Sequence, residues 1–195
     1  ELYLVNSYDF EFTRLKQYKI LELKNKEKLK TNCSNEDFLR KSEIKICIKK
    51  DCLENINRID ELIHRTNQLN FTKKRDSKED LKKYFEDKST YDSAYIIAED
   101  KYGSYGICGF YVLNKTCKTL EHFLFSCRIM NMGIEDFVFS YLEKPHINIV
   151  LPVSSFLGGT SNWIKLVDNL DLKPIEVKKQ ASINILFKGA CDLYS

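Results

Sequence analysis

Apolar residues recur along the 195-residue chain at helical and strand spacings that follow one another in a definite order. Residues 1–32 are polar, Lys-rich and helical in character, with Glu22 and Lys26 at a favourable i,i+4 spacing. Ser34 followed by Asp37 reads as a capping box that opens a short helix through Phe38 and Leu39. In EIKICIKK, Ile44, Ile46 and Ile48 alternate with polar positions, the pattern of a half-buried strand. A longer helix is expected from Asp51, with Ile56, Ile59 and Ile63 on one face, and a charged helix over 77–87. From residue 93 the period becomes two. SAYIIAED, SYGICGFYVLN and KTLEHFLFSCR read as strands with turns at Gly103 and Asn114–Lys115, hence an antiparallel meander. A helix over 134–143 follows, closed by Pro145. INIVLPV is apolar on both faces, as a central or parallel strand would be. A last helix is expected from about Ser161 to Leu170, then strands over 173–178 and 182–188.

This order predicts an α/β (α+β) chain with a mixed, mostly antiparallel sheet flanked by helices. It divides into an N-terminal helical segment over 1–42, a domain over 43–188, and a tail or the start of a next domain over 189–195. The strands over 118–127 and 147–152 should lie side by side and parallel, because the helix between them supplies the crossover such a pair requires.

Composition narrows the function. With 43% hydrophobic and 30% charged residues the chain reads as an ordinary globular protein, and no apolar run reaches the roughly 20 residues needed to span a bilayer. The net charge of +3 does not imply nucleic acid, and the early excess of Lys and Arg reads as a solvated helix face. Seven cysteines, without a C-x-x-C pair or a His at zinc-finger spacing, argue against a structural metal site and suggest a reducing, cytoplasmic setting.

The candidate chemistry gathers at 120–141. Phe123, Leu124 and Phe125 lead into Arg128, a short loop holds Asn131 and Gly133, and a helix opens at Ile134. A strand, a Gly-containing turn and a helix N-terminus can together hold an anion, and Arg128 adds forked donors. The spacing resembles the R-x-x-G-x-G/A loop of GNAT-type acyltransferases, which holds the pyrophosphate of coenzyme A, with Asn131 in place of the first Gly. Asn is among the few side chains that tolerate a left-handed backbone. The element order from 43 to 188 is also that of the GNAT fold.

Several segments together resemble FkbH-like proteins of methoxymalonyl and glyceryl carrier-protein pathways. Arg58-Ile59-Asp60-Glu61-Leu62, then Arg65-Thr66-Asn67-Gln68-Leu69-Asn70-Phe71-Thr72-Lys73-Lys74-Arg75, is similar to the family's R-x-x-E-L…T-N-Q-F-N-L-T-x-R-R stretch. Asp100-Lys101-Tyr102-Gly103-Ser104-Tyr105-Gly106 is similar to D-x-F-G-D-Y-G, and Ser126-Cys127-Arg128 with Gly133 and Glu135 to S-C-R-x-x-G-R-G-x-E. Thr160 and Asn162 are similar to a T-x-x-N, one residue shorter here. Ser104, Asn131 and Met132 depart from the family's Asp, Gly and Arg. The resemblance implies polyketide biosynthesis, an upstream haloacid-dehalogenase-like domain, and a GNAT-like half that handles an acyl thioester. The cofactor would be coenzyme A or the phosphopantetheine arm of an acyl carrier protein, which is then the partner. No D-x-D-x-T occurs in the chain, so the phosphatase half is not in this sequence.

In this reading Cys127 is the candidate nucleophile, beside Arg128 and near a helix N-terminus, both of which favour a thiolate. Strand alternation, however, puts Cys127 on the face of Phe123 and Phe125, which suggests core packing, and puts His122 and Ser126 on the other. Arg128, Asn131 and Gly133 would hold phosphate. Asn67, Gln68, Asn70 and Thr72, with Arg75, would orient the acyl group, although such residues also satisfy turn backbone. His64 and His146 read as packing or exposed, and Glu135 as complementing the helix dipole. Two other functions are open: a non-catalytic module that binds the carrier protein, and a free-standing N-acetyltransferase using acetyl-CoA.

Overall fold

A computed structural model of the protein describes residues 13–30 and 34–170. The expected strands over 173–178 and 182–188, the tail over 189–195, Cys33 and Cys191 lie outside the described residues. The chain is an α+β protein with a curled, mostly antiparallel sheet of six strands and five helices among the described residues. The helices are α1 (Thr13–Lys30), α2 (Asn35–Lys41), α3 (Ile56–Arg65), α4 (Lys78–Glu86) and α5 (Ile134–Tyr141). The strands are β1 (Lys45–Lys49), β2 (Tyr91–Asp100), β3 (Gly103–Asn114), β4 (Thr119–Phe125), β5 (His146–Ile147) and β6 (Lys165–Leu166), in the order β5-β4-β3-β2-β1-β6.

Local chemistry sets the boundaries. Ser34 caps α2 by accepting from Asp37 N–H at 3.1 Å, and its hydroxyl donates to the Asp37 carboxylate at 2.7 Å. Ser77 caps α4 in the same way through Asp80. In α3, Ile59, Leu62 and Ile63 form one buried face; the helix begins at Ile56, after a turn over 52–55. The β2–β3–β4 meander is antiparallel, and Gly109 stands opposite Phe125, where any Cβ would meet the Phe125 ring at 2.5 Å.

The sheet separates two cores. On one side Ile46, Ile96, Phe123 and Phe125 pack with Ile20 of α1 and with Ile134 and Val138 of α5. On the other, Cys47, Ile97, Phe110 and Leu124 pack with Ile59, Leu62 and Ile63 of α3 and with Leu81 and Phe85 of α4. Cys47 is fully buried, so β1 is covered on both faces in its middle rather than half-buried as its alternation suggests. α1 is tied to the β2–β3 turn by a buried ion pair, Lys24 to Asp100 at 2.9 Å, with Tyr105 donating to the same carboxylate at 2.7 Å.

Two expected elements take other forms. β5 is parallel to β4, but only His146 and Ile147 pair, with Thr119 and Leu120, and they form the sheet edge. Beyond them the chain diverges from β4, and residues 69–71 enter the gap. Phe71 N–H donates to Phe123 O at 3.0 Å and Phe125 N–H to Leu69 O at 2.9 Å, while Val150 N–H donates to Phe71 O at 2.8 Å. INIVLPV is therefore no central strand; its apolar side chains Ile149, Val150 and Leu151 are exposed. Nor is 161–170 a helix. The open edge of β1 captures it as a parallel strand, Lys165 N–H donating to Ile44 O and Val167 N–H to Ile46 O, both at 2.9 Å.

Candidate functional site

Strand alternation stops at Phe125. Ser126 N–H still donates to Cys108 O on β3 at 2.7 Å, but the Ser126 hydroxyl then accepts from Arg128 N–H and caps a single 3-10 turn, Cys127–Ile129. That turn rotates Cys127 off the face of Phe123 and Phe125. Cys127 is exposed, whereas Phe123 and Phe125 are fully buried. The core-packing alternative for Cys127 therefore does not hold. Cys117 is the other exposed cysteine among the described residues; Cys47, Cys52 and Cys108 are buried, and burial pushes the thiols of Cys52 and Cys108 up to about 12.

Arg128 turns toward β3. Its Nε donates to Ser126 Oγ at 2.9 Å and an Nη to Ile107 O at 3.3 Å, while the other Nη is buried without a partner among the described residues. Burial first, and the nearby Arg58 guanidinium second, hold Arg128 below its ordinary value. The Cys127 sulfur and Glu61 lie within electrostatic reach of the same guanidinium. Glu61 is already shared by Arg58 and Arg65. Three guanidiniums thus answer to one carboxylate beside an exposed thiol. The R-x-x-E-L and S-C-R stretches, some 70 residues apart in sequence, meet here.

Asn131 and Gly133 both have left-handed backbones, at φ 63 and 78, so Asn131 does what its substitution for Gly requires. The first turn of α5 behind them is occupied by the chain itself. The Trp163 ring lies over Gly133, where a Cβ would meet it at 3.0 Å, and its indole N–H donates to Met132 O at 2.8 Å. Glu135 is buried, with one oxygen accepting from Ser155 at 2.8 Å and the other unpartnered; burial pushes its carboxyl up. Asp136 accepts from Gly158 and Gly159 N–H at 2.8 and 3.0 Å. Two acidic side chains already occupy the first turn of the helix.

The polar cluster after α3 divides. Asn70 is fully buried and serves backbone, accepting from Lys73 N–H at 2.9 Å and reaching Lys74 O at 3.4 Å. Arg75 closes the end of α3 by donating to Ile63 O, Thr66 O and the Asn67 side chain. Thr72 Oγ1 is buried without a partner among the described residues, and Gln68, whose backbone carbonyl accepts from Ser154 N–H at 2.9 Å, is exposed. Asn70 and Arg75 are thus engaged with backbone and Asn67, while Leu69 O accepts from Phe125 N–H, two residues before Cys127.

One constellation gave no signal in the sequence. His122, fully buried on β4, meets Asp76 at 2.9 Å through Nε2, and Tyr84 donates to the same Asp76 oxygen at 3.1 Å. Forty-six residues separate His122 from Asp76, so only the fold joins them. His64 and His146 are exposed, and no group of three or more His, Cys, Asp or Glu among the described residues is placed to hold a metal. No helix among the described residues is long and apolar enough to cross a membrane. No family model, curated protein or solved structure matches the chain.

Proposed function

We propose that the chain is a GNAT-like, FkbH-like acyl-handling domain that receives an acyl (glyceryl-type) group from the phosphopantetheine arm of an acyl carrier protein, or from coenzyme A, onto Cys127. The observation that carries this reading is the exposed Cys127 at the end of β4, one residue from Arg128 and within reach of its charge. The β4–α5–β5 crossover beside an antiparallel meander supports the GNAT-like part. In the transfer, the Cys127 thiolate attacks the thioester carbonyl and a carbon–sulfur bond to Cys127 forms. The bond to the pantetheine sulfur breaks, and the departing thiolate takes up a proton equivalent to the one Cys127 gave to solvent. The guanidiniums of Arg128 and Arg58 suit the phosphate of the arm. An upstream haloacid-dehalogenase-like domain would act before this one, in the cytoplasm.

A second reading, a carrier-protein-binding module without catalysis, is favoured by the filled gap between β4 and β5. Residues 69–71 take the β4 backbone positions that an extended pantetheine arm could use, and the first turn of α5 is covered by Trp163. An acetyl-CoA-dependent N-acetyltransferase has less support, because no free base stands beside Cys127 among the described residues.

Cys117 supplies an internal control for the test. With iodoacetamide at neutral pH, Cys127 is expected to alkylate faster than Cys117, and Arg128→Ala should remove the difference. An acyl-pantetheine thioester should leave an adduct that peptide mapping places on Cys127. Equal rates at the two cysteines, with no adduct, would leave the binding module as the function.

A further inference from the structure

Beside α4 lies a cavity of about 270 Å³ lined by Asp76, Asp80, Lys83, Tyr84 and Tyr91. We propose that it binds a small organic ammonium group, with Asp76 as its anionic anchor and the rings of Tyr84 and Tyr91 as its walls.

No Lys or Arg among the described residues pairs with Asp76; its partners are His122 and Tyr84, with Lys74 within electrostatic reach. Lys83 pairs with Asp80 at 2.7 Å, and Lys74 pairs with Glu121. Both hydrogen bonds to Asp76, from His122 Nε2 and the Tyr84 hydroxyl, fall on one oxygen, Oδ2. Oδ1 takes none among the described residues. The His122 ring fixes the carboxylate from behind: it is fully buried, lies 5.8 Å from the Phe110 ring and 5.9 Å from that of Tyr84, and its Nδ1 has no partner among the described residues. It cannot swing away to release Asp76 without opening the second core. The His122 hydrogen bond first, then the charge of that ring, the Tyr84 hydrogen bond and the charge of Lys74, hold Asp76 below the usual carboxylate value, so it stays ionised.

The walls suit a cation. Tyr84 and Tyr91 stand edge to face, 4.8 Å apart at 78°, and so form a corner. A ring face attracts an ammonium head, most strongly where water is displaced, and a carboxylate beside the ring adds direct charge. A metal ion is a poorer fit, because among the described residues Asp76 and Asp80 are the only carboxylates lining the cavity and Asp80 is already paired. The volume falls just under the roughly 300 Å³ at which pockets for drug-sized ligands begin, which limits the occupant to an ammonium head with a short tail. The site does not involve Cys127, so its failure and the failure of the acyl-transfer reading are separate results.

The test is an NMR titration of the full chain with tetramethylammonium chloride and, separately, methylammonium chloride, each against sodium chloride at equal ionic strength. The amides of Asp76, Tyr84 and Tyr91 are expected to shift saturably with an organic cation and not with sodium. Asp76→Asn should weaken binding by about tenfold or more, and Tyr84→Phe, which keeps the ring, should weaken it far less. If Asp76→Asn lacks a folded spectrum, Tyr91→Leu at the cavity rim decides, and it should lose the response. Shifts identical to those with sodium, or undiminished binding in Asp76→Asn or Tyr91→Leu, would overturn the proposal.

Discussion

Glu135→Gln is the perturbation whose sign is set most directly by the structure. Glu135 sits in the first turn of α5, 2% exposed, with one carboxyl oxygen bonded to Ser155 and the other unpartnered. Burial raises its folded-state value above the ordinary 4.5. Between 4.5 and that raised value the folded protein holds a proton that the unfolded chain has released. Stability therefore falls as pH rises through this window, by up to about 1.4 kcal/mol per pH unit, and levels off above it. Asp76 works in the opposite sense and elsewhere: its depressed value gives stability that is lost only as pH falls below its unfolded value of 3.8. Glutamine is neutral throughout, so Glu135→Gln should remove the fall. The new amide leaves an unmet donor where the free oxygen was, an offset of about 1–3 kcal/mol that does not change with pH. The readout is therefore a slope. Urea unfolding of both proteins from about pH 4 to about pH 8 should give curves that converge or cross, the variant gaining on the wild type as pH rises. Parallel curves over that range would refute the assignment of Glu135 as a buried carboxyl that resists ionisation.

Asp100→Ala strands the Lys24 ammonium against Tyr102 and Tyr105; it should cost about 3–5 kcal/mol by chemical denaturation, and a loss under about 1 kcal/mol would mean the pair is solvated. Gly109→Ala puts a methyl into the Phe125 ring; a lowered midpoint worth about 1–3 kcal/mol is expected, and no change would show that Phe125 has another place to go. Phe71→Ala empties a fully buried position against Phe123; it should cost about 3–5 kcal/mol, with partial rescue by Leu.

What could be read from the sequence was what short-range rules decide. The Ser34 cap, the Ile59–Ile63 face of α3, the three-strand meander and the crossover helix each follow from residues within a few positions of one another. Asn131 at a left-handed turn also belongs here. What escaped depends on distant partners. The apolar spacing of Trp163, Ile164, Val167 and Leu170 fits a helix, yet the unpaired edge of β1 offers two carbonyls that a helix could not reach. INIVLPV looks central because it is apolar, and its true neighbour, the 68–71 segment, arrives from before α4. The core-packing alternative for Cys127 rests on alternation carried past Phe125, whereas the hydroxyl of Ser126 ends the strand first. Asp76 and His122 carry no mutual signal at all.

The insertion of residues 68–71 also governs how the molecule opens. The segment is bonded to β4 on one side and to the 150–154 stretch on the other, through Val150 and Ser154. Neither flank can lose it alone without stranding the other's backbone. The amides of Phe71, Phe125, Val150 and Ser154 should then exchange with solvent deuterium as one set, at a single rate, although their positions span more than eighty residues. The loop between α3 and α4 becomes a latch on the sheet edge, so a change confined to that loop is felt first at Val150 and Ser154.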